Sequence, residues 1–156
     1  MQDHEALLRY VERFALVLRE MGMPPMTARV LAYALAEDSD RYTATDLATA
    51  LRASPAAISG AVRYLVQVRL LTREREPGTR SDLYVLRDDA WTRLMAWRLD
   101  TLDVLRDLLQ DGAEAVGPTS AGGRRLAESA DFMAFFREGL ERLLDEWREK
   151  HGTEGV

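Results

Sequence analysis

The sequence predicts a mainly α-helical fold with one small β-hairpin, in which a short central core is flanked by long helices. Three observations predict it. Apolar residues recur at helical spacing through most of the 156 residues, one Pro-Gly pair separates two short strand-like runs, and the other breaks carry glycine, proline or polar clusters. We therefore expect an N-terminal helix over 1–24, a central domain over 25–87 and long C-terminal helices over 88–156.

The first two helices are predicted over residues 3–20 and 25–36. Four apolar residues of the first helix recur at steps of four and three and form a single stripe: Leu7, Val11, Phe14 and Leu18. Gly22 and the pair Pro24-Pro25 are expected to end this helix, because neither residue type continues a helix well.

Two short helices joined by a tight turn are predicted next. Thr43 and Asp46 have the spacing of a capping box, which opens the first of them. Arg52-Ala53 forms the tight connection to the second. That helix begins with Ser54, a good N-cap residue, and with Pro55 at the first helical position, where proline is tolerated.

A β-hairpin is predicted directly after the second short helix. Residues 70–76 and 82–86 are expected to form its strands, and the loop 77–81 opens with the Pro-Gly pair. A pair of short helices followed by a hairpin is the element order of a winged helix-turn-helix domain. The sequence therefore predicts that fold for the central domain.

Two long helices complete the predicted fold. Asp88 is expected to cap the first, and Gly112 and Gly117 are expected to break it. The second is predicted over 121–151. Six of its apolar residues form a heptad seam of the kind that pairs helices: Leu126, Met133, Phe136, Leu140, Leu143 and Trp147.

The helix that begins after Ser54 has two distinct faces. With Ile58 at the centre of the buried face and about 100° of rotation per residue, Val62 and Leu65 stay on that face. Five small or polar residues fall on the opposite side: Ala56, Ser59, Gly60, Arg63 and Gln67. Small residues let a helix lie close to the bases of the major groove. Ser59 can bond a base edge, and Arg63 can reach guanine or a phosphate.

This helix and the hairpin together predict a DNA-contacting surface. Backbone N–H groups near Ser54 suit a phosphate oxygen, and Arg80 in the hairpin loop can enter a narrow minor groove. For the loop alone, an ordinary polar turn with a solvated arginine is the alternative. The candidate DNA-binding residues are Thr45, Ser54, Pro55, Ala56, Ser59, Gly60, Arg63, Gln67, Arg73, Arg75, Thr79 and Arg80.

Charge is unevenly distributed along the chain. The whole sequence carries a net −5, but residues 41–81 contain seven arginines and three acids, so this segment is +4 and the remainder is −9. A basic island in an acidic protein fits a phosphate-binding surface, and a solvated arginine-rich surface would give the same count.

A series of motifs runs through the central domain: Thr45-Asp46-Leu47-Ala48, Leu51, the run from Ser54 to Gly60, Val62, Leu65, Leu70-Leu71-Thr72-Arg73, Pro77-Gly78-Thr79-Arg80 and Tyr84. In this order they resemble the MarR superfamily, and more closely its branch related to GbsR, over about residues 25–110. The resemblance implies a homodimeric transcriptional regulator that binds a pseudo-palindromic site on double-stranded DNA. We expect this regulator to act as a repressor.

Two positions depart from the family pattern. The family often has Asp-x-Arg in the wing, whereas Thr79-Arg80 supplies the arginine without that acid. Its recognition helices often carry arginine directly after the serine, where this chain has Gly60. The resemblance therefore implies fewer base contacts here and a larger share for Arg63 and Arg80.

The long apolar stripes point separately to a second copy of the chain. A core of about 50 residues cannot cover them, so a partner would bury them in an obligate interface. Alternatively, these helices pack only on each other. The residues expected at the dimer interface are Leu7, Val11, Phe14, Leu18, Leu126, Met133, Phe136, Leu140, Leu143 and Trp147.

Catalytic, metal-binding and membrane functions find little support. The chain has no cysteine, which excludes disulfides and thiolate metal sites and fits a cytoplasmic protein. His4 and His151 stand at opposite ends, and Ser54 and Ser59 have no His/Asp partners, so we expect no metal, no cofactor and no catalytic residue. No apolar run approaches the roughly 20 residues that span a bilayer.

Two questions stay open at the level of sequence. Six aromatic residues fit either a small-molecule effector pocket or a core or interface: Trp91, Trp97, Phe132, Phe135, Phe136 and Trp147. A winged-helix module that binds a protein partner and no DNA is the alternative to the regulator. The salt dependence of DNA affinity separates these two functions.

Overall fold

The computed structural model describes residues 4–75 and 77–152, and the elements within them follow the predicted order. The first four helices are α1 (His4–Glu20), α2 (Pro25–Ala36), α3 (Ala44–Ala50) and α4 (Pro55–Gln67). The strands are β1 (Arg41–Thr43), β2 (Leu71–Arg75) and β3 (Asp82–Leu86). The two long helices are α5 (Ala90–Ala115) and α6 (Ala121–His151). The chain divides into two compact units, of which one ends at Ala90 and the other begins at Trp91.

The core of the first unit is built from its four helices. α1 packs along α2, and both α2 and α3 pack against α4. The predicted buried face of α4 is confirmed, because Ile58, Val62 and Leu65 are each at most 2% exposed. Burying such aliphatic side chains supplies the main favourable free energy of folding, so this face holds α4 on the unit.

Side-chain caps set the starts of α3 and α4. The Asp46 N–H donates to Thr43 Oγ1 at 3.1 Å, and the Thr43 N–H donates to the Asp46 carboxylate at 2.8 Å, so the predicted capping box is present. At α4, the Ala57 N–H donates to Ser54 Oγ at 3.2 Å. Both caps satisfy N–H groups that a helix end would otherwise leave without a partner.

The sheet contains the predicted hairpin and a third strand that the sequence does not predict. The strands are antiparallel in the order β1-β3-β2, with Tyr42 opposite Tyr84 and Arg73 also opposite Tyr84. β1 is only three residues long, so it offers no alternating pattern of its own. Tyr42 is buried, and its ring centroid lies 5.7 Å from that of Tyr33, which anchors this strand to α2.

Both boundaries of α5 differ from the prediction. α5 begins at Ala90, so its N-cap position falls on Asp89 rather than on the expected Asp88, and the Ala90 N–H donates to the Arg87 carbonyl at 3.2 Å. The expectation that Gly112 breaks the helix is wrong, since α5 continues to Ala115. A Cβ on Gly112 would come within 3.3 Å of the Leu126 side chain, so glycine here allows α6 to approach closely.

A tight turn joins α5 and α6 into an antiparallel pair. Gly117 has φ +93°, a left-handed conformation that favours glycine, and Ser120 caps α6 by accepting from the Gly123 N–H at 2.9 Å. A Cβ on Gly123 would overlap the Gly117 carbonyl oxygen. Further along, Arg137 Nε donates to the Asp103 carboxylate at 2.9 Å and links the two helices.

The predicted stripe of α1 is covered within a single chain. Leu7, Val11 and Leu18 are buried, and Phe14 is half-buried. The steps of four and three correctly identified the buried face of α1, but a pattern on one helix does not say which chain covers it. Within the described residues, the large apolar side chains that α1 leaves exposed are Tyr10, Leu16, Val17 and Met21.

Candidate nucleic-acid interface

The outer face of α4 consists of the small and polar residues that the sequence predicts. Ala56, Ser59, Gly60, Arg63 and Gln67 are all exposed, opposite the buried row of the same helix. This arrangement follows from about 100° of rotation per residue, because steps of three and four return to the same side. The face combines a smooth surface with one long cation, which suits close approach to a polyanion.

Gly60 has no role in the fold that requires glycine. Its backbone is not left-handed, it is exposed, and an added Cβ would meet no heavy atom within 4 Å. Glycine in a helix interior costs stability relative to alanine. A glycine that the structure does not need therefore points to a close approach by something outside the chain.

The wing is formed by β2, β3 and the loop 77–81. Thr79 and Arg80 are exposed in this loop, and the Ser81 N–H donates to Thr79 Oγ1 at 3.1 Å. Arg75 is exposed at the end of β2, opposite Asp82 of β3. The wing therefore presents two arginines from neighbouring parts of one hairpin.

Arg73 is engaged by Asp82, an acid that the sequence pattern does not identify as part of the site. Its Nη2 donates to Asp82 Oδ2 at 2.6 Å, and this hydrogen bond raises the pKa of the Arg73 guanidinium. The wing thus has a carboxylate, but it lies two residues after Arg80. In the Asp-x-Arg pattern the acid lies two residues before the arginine. The antiparallel register sets Asp82 opposite Arg75, which also brings its carboxylate within reach of Arg73, two residues earlier on the same strand.

The remaining arginines of segment 41–81 fall into two groups. Arg41 pairs with Asp40, and Arg52 pairs with Glu5. Among residues 4–75 and 77–152, no hydrogen bond or ion pair engages the guanidinium groups of Arg63, Arg69, Arg75 and Arg80. These four cations are available to an anionic partner, and Arg63, Arg75 and Arg80 are members of the predicted site.

The predicted site residues lie on three parts of the first unit. Seven belong to the start and outer face of α4: Ser54, Pro55, Ala56, Ser59, Gly60, Arg63 and Gln67. Thr45 is exposed on α3, and the other four are on the wing. Ser54 uses its hydroxyl oxygen to cap α4, so its side chain has a structural role as well.

Two kinds of feature are absent from the part of the chain that the structure describes. Across 4–75 and 77–152, no three His, Asp or Glu side chains lie close enough together to hold a metal ion. Over the same ranges, no helix combines the length and the apolar character needed to cross a membrane.

Two family models match the chain. Residues 21–80 match the model of the MarR family, and residues 89–150 match a model described as MmpR5-like MarR family transcriptional regulator. The first match contains α2, β1, α3, α4 and β2, and the second contains α5 and all of α6 except His151. The two matches therefore cover the candidate interface and the long helices separately.

Individual proteins show the same likeness. The chain is 27% identical over 149 residues to the HTH-type transcriptional regulator MmpR5 of Mycobacterium tuberculosis, which covers 95% of this chain and 90% of that protein. It is also 27% identical to a solved structure described as a transcriptional regulator, with a TM-score of 0.80 over 92% of this chain and 99% of the other. The similarity thus extends over nearly the whole length of both proteins.

Proposed function

Since the chain belongs to the MarR family of winged-helix transcriptional regulators, we propose that it represses transcription by binding a pseudo-palindromic operator as a homodimer. In this proposal α4 lies in the major groove and the wing contacts the adjacent minor groove. Such a regulator acts on chromosomal DNA, so we expect it in the cytoplasm. Its assignment to the GbsR-related branch stays a prediction.

The outer face of α4 is the observation that carries the proposal. Ser59 and Arg63 are the hydrogen-bonding residues nearest the middle of this face. Gly60 lies between them and leaves room for a base edge or sugar. Arginine binds guanine O6 and N7 with two hydrogen bonds, and serine can donate to or accept from a base edge. Few direct contacts are available, so the wing has to contribute to affinity.

The wing supports the proposal through Arg75 and Arg80. Both are exposed, and neither is engaged within the described part of the chain. The negative potential of DNA is strongest in a narrow minor groove, where an arginine on a hairpin loop gains most. Arg73, in contrast, is held by Asp82 and is expected to contribute less.

The proposed dimer is supported by apolar side chains that a single chain leaves exposed. On α6 these are Phe132, Phe135, Phe136, Leu143 and Trp147, with Phe135 at 76% exposure. Leu126, Met133 and Leu140 of the predicted seam are half-buried. On α1 the exposed residues Tyr10 and Val17 replace the buried stripe as candidates. Exposed apolar patches of this extent are rare on monomers and common at interfaces.

A small-molecule effector is a further part of the proposal. The rings of Phe132 and Phe136 stack at 6.2 Å between centroids, and both are about half exposed, so α6 offers aromatic surface that a flat apolar ligand could contact. Thermal-shift screening of metabolites tests this. If no compound stabilises the protein, the effector is refuted and the DNA-binding proposal is unaffected.

Selection of bound DNA from a random pool tests the proposed function. We expect a palindrome whose half-sites are about one helical turn apart. Arg63→Ala and Arg80→Ala should each weaken binding by about 1–3 kcal/mol and leave the dimer intact. Arg148→Ala, which removes an arginine paired with Asp145 on α6, is the matched control and should bind normally.

Two outcomes would contradict the proposal. If both wing and helix variants bind the selected site as well as the wild type, the assigned surface is not the DNA-binding surface. If the wild type shows no affinity for DNA even at low salt, the domain is instead a protein-interaction module, because binding to phosphates strengthens as salt is lowered.

A further inference from the structure

Arg29 of α2 connects three elements of the first unit. Its Nε donates to Glu12 Oε1 on α1 at 2.8 Å, and its Nη2 donates to the Leu51 carbonyl at 2.9 Å. Leu51 is the C-cap of α3, so this carbonyl has no partner inside its own helix. The Arg29 side chain is only 24% exposed, which marks it as part of the packed structure rather than a solvated cation.

A second ion pair links α1 to the turn between α3 and α4. Glu5 of α1 pairs with Arg52, the residue directly after Leu51. Glu5 and Glu12 are seven residues apart and therefore lie on one side of α1. Two acids on one face of α1 thus hold two adjacent residues of the α3–α4 turn, one directly and the other through Arg29.

The backbone of the turn supports a role for the Arg52 side chain. The Ala53 N–H donates to the Ala48 carbonyl at 3.0 Å, and Arg52 has φ +51° at the left-handed position of this helix end. Glycine is the residue that this position favours. The chain has glycine at the corresponding ends of α1 and α5, as Gly22 and Gly117.

The use of arginine at position 52 carries a conformational cost that glycine would avoid. The contact that its side chain makes within the described residues is with Glu5. Arg69, at the end of α4, is left-handed as well (φ +62°), but it makes no such contact in that part of the chain.

We propose that Arg29 is a positioning residue for DNA binding and that Arg52 is the second point of the same attachment. Together they fix the α3–α4 turn to α1 and set the orientation in which α4 is presented. α4 begins at Pro55, three residues after Arg52, so a displacement of the turn moves the start of α4. This proposal rests on the proposed function, because the orientation matters only if α4 binds DNA.

Variants of Arg29 test the proposal through DNA affinity measured over a range of salt concentrations. Arg29→Met keeps an apolar stem and removes both hydrogen bonds, whereas Arg29→Lys keeps the charge and one donor. We expect Arg29→Met to lose about tenfold in affinity with an unchanged salt slope, because no phosphate contact is removed. Arg29→Lys and Glu12→Gln should lose less, and the control Arg148→Met should bind like the wild type.

Two results of this experiment would overturn the proposal. One is an Arg29→Met variant that is folded and binds DNA within about twofold of the wild type. A difference of that size is what sites that do not influence each other show. The other is a salt slope smaller by about one, which would make Arg29 a direct phosphate contact instead. If Arg29→Met does not fold, Arg29→Lys and Glu12→Gln decide by the same criteria.

Glu5→Gln and Arg52→Met, which keeps a side chain at the left-handed position, separate positioning from direct contact at the second attachment. If Arg52 acts through Glu5, the two variants lose affinity alike, and the double variant loses no more than either. If Arg52 binds a phosphate, Glu5→Gln releases it and tightens binding, and this result overturns the role assigned to Arg52.

Amide hydrogen exchange of the free protein tests the attachment without DNA. Exchange of the Ala53 N–H, which closes the turn, should be faster in Arg29→Met and unchanged in Arg148→Met. Unchanged exchange in Arg29→Met overturns the proposal. A wild type that binds no DNA refutes the proposed function, and the exchange measurement still decides whether Arg29 fixes the turn.

Discussion

Gly60→Ala is expected to make the protein more stable and its binding to DNA weaker. Gly60 is exposed in the interior of α4, and a Cβ there would meet no atom of the chain within 4 Å. Alanine is favoured over glycine inside a helix by about 0.8–1 kcal/mol, because it restricts the unfolded chain and shields the backbone. The free energy of unfolding should therefore rise by roughly this amount.

The effect on DNA binding should have the opposite sign. If the outer face of α4 lies against the bases, the new methyl group occupies space that a base edge or sugar fills in the complex. Overpacking a close contact by one methyl costs about 1–3 kcal/mol, which corresponds to a loss of about tenfold or more in affinity. No fold defect can produce this combination, because a defect would lower stability as well.

Urea denaturation and fluorescence anisotropy with the selected operator measure the two quantities. Gly139→Ala on α6 is the matched control, since its Cβ also meets nothing within 4 Å and its stability gain should be similar. It should leave DNA affinity unchanged. Unchanged affinity in Gly60→Ala would refute the close approach of α4 to DNA, and reduced stability would refute the assignment of open space around Gly60.

Three further predictions concern other parts of the chain. Asp82→Asn releases Arg73, so DNA affinity at low salt should rise about threefold with a salt slope larger by about one; unchanged binding would mean that Arg73 does not face DNA. Burial and the Glu37 hydrogen bond raise the pKa of Tyr33 to about 12, so its contribution to stability is complete below pH 10 and is lost as the pH rises towards 12. Alkaline denaturation should therefore be less steep in Tyr33→Phe, and identical curves would contradict this. Gly123→Ala should cost about 3 kcal/mol or more, because its Cβ would overlap the Gly117 carbonyl oxygen, and a normal melting temperature would contradict that packing.

Local signals in the sequence were sufficient for α3, α4 and their caps. The predicted start of α4 at Ser54-Pro55 and the capping box of Thr43 and Asp46 are confirmed, because a cap depends on residues within one turn. The two faces of α4 are confirmed for the same reason. β1 was missed because three residues form a strand only through β3, about forty residues further along the chain.

The candidate site was predictable in its exposed residues and not in its ion pairs. Rotation along α4 is enough to place Ser59 and Arg63 on the outer face. The pairs that hold the surrounding structure join residues distant in sequence, as between Arg29 and Glu12 on neighbouring helices. Whether an arginine is free or engaged depends on such tertiary contacts, so composition alone could not separate Arg73 from Arg80.

The strand order also has a consequence for synthesis of the chain on the ribosome. β3 is the central strand and the last to be made, so β1 and β2 have no partner until residues 82–86 leave the exit tunnel. α1 to α4 precede β2 and can pack on one another earlier, because synthesis proceeds from the N-terminus. The growing chain thus gains α4 first, and only the emergence of β3 completes the hairpin of the wing.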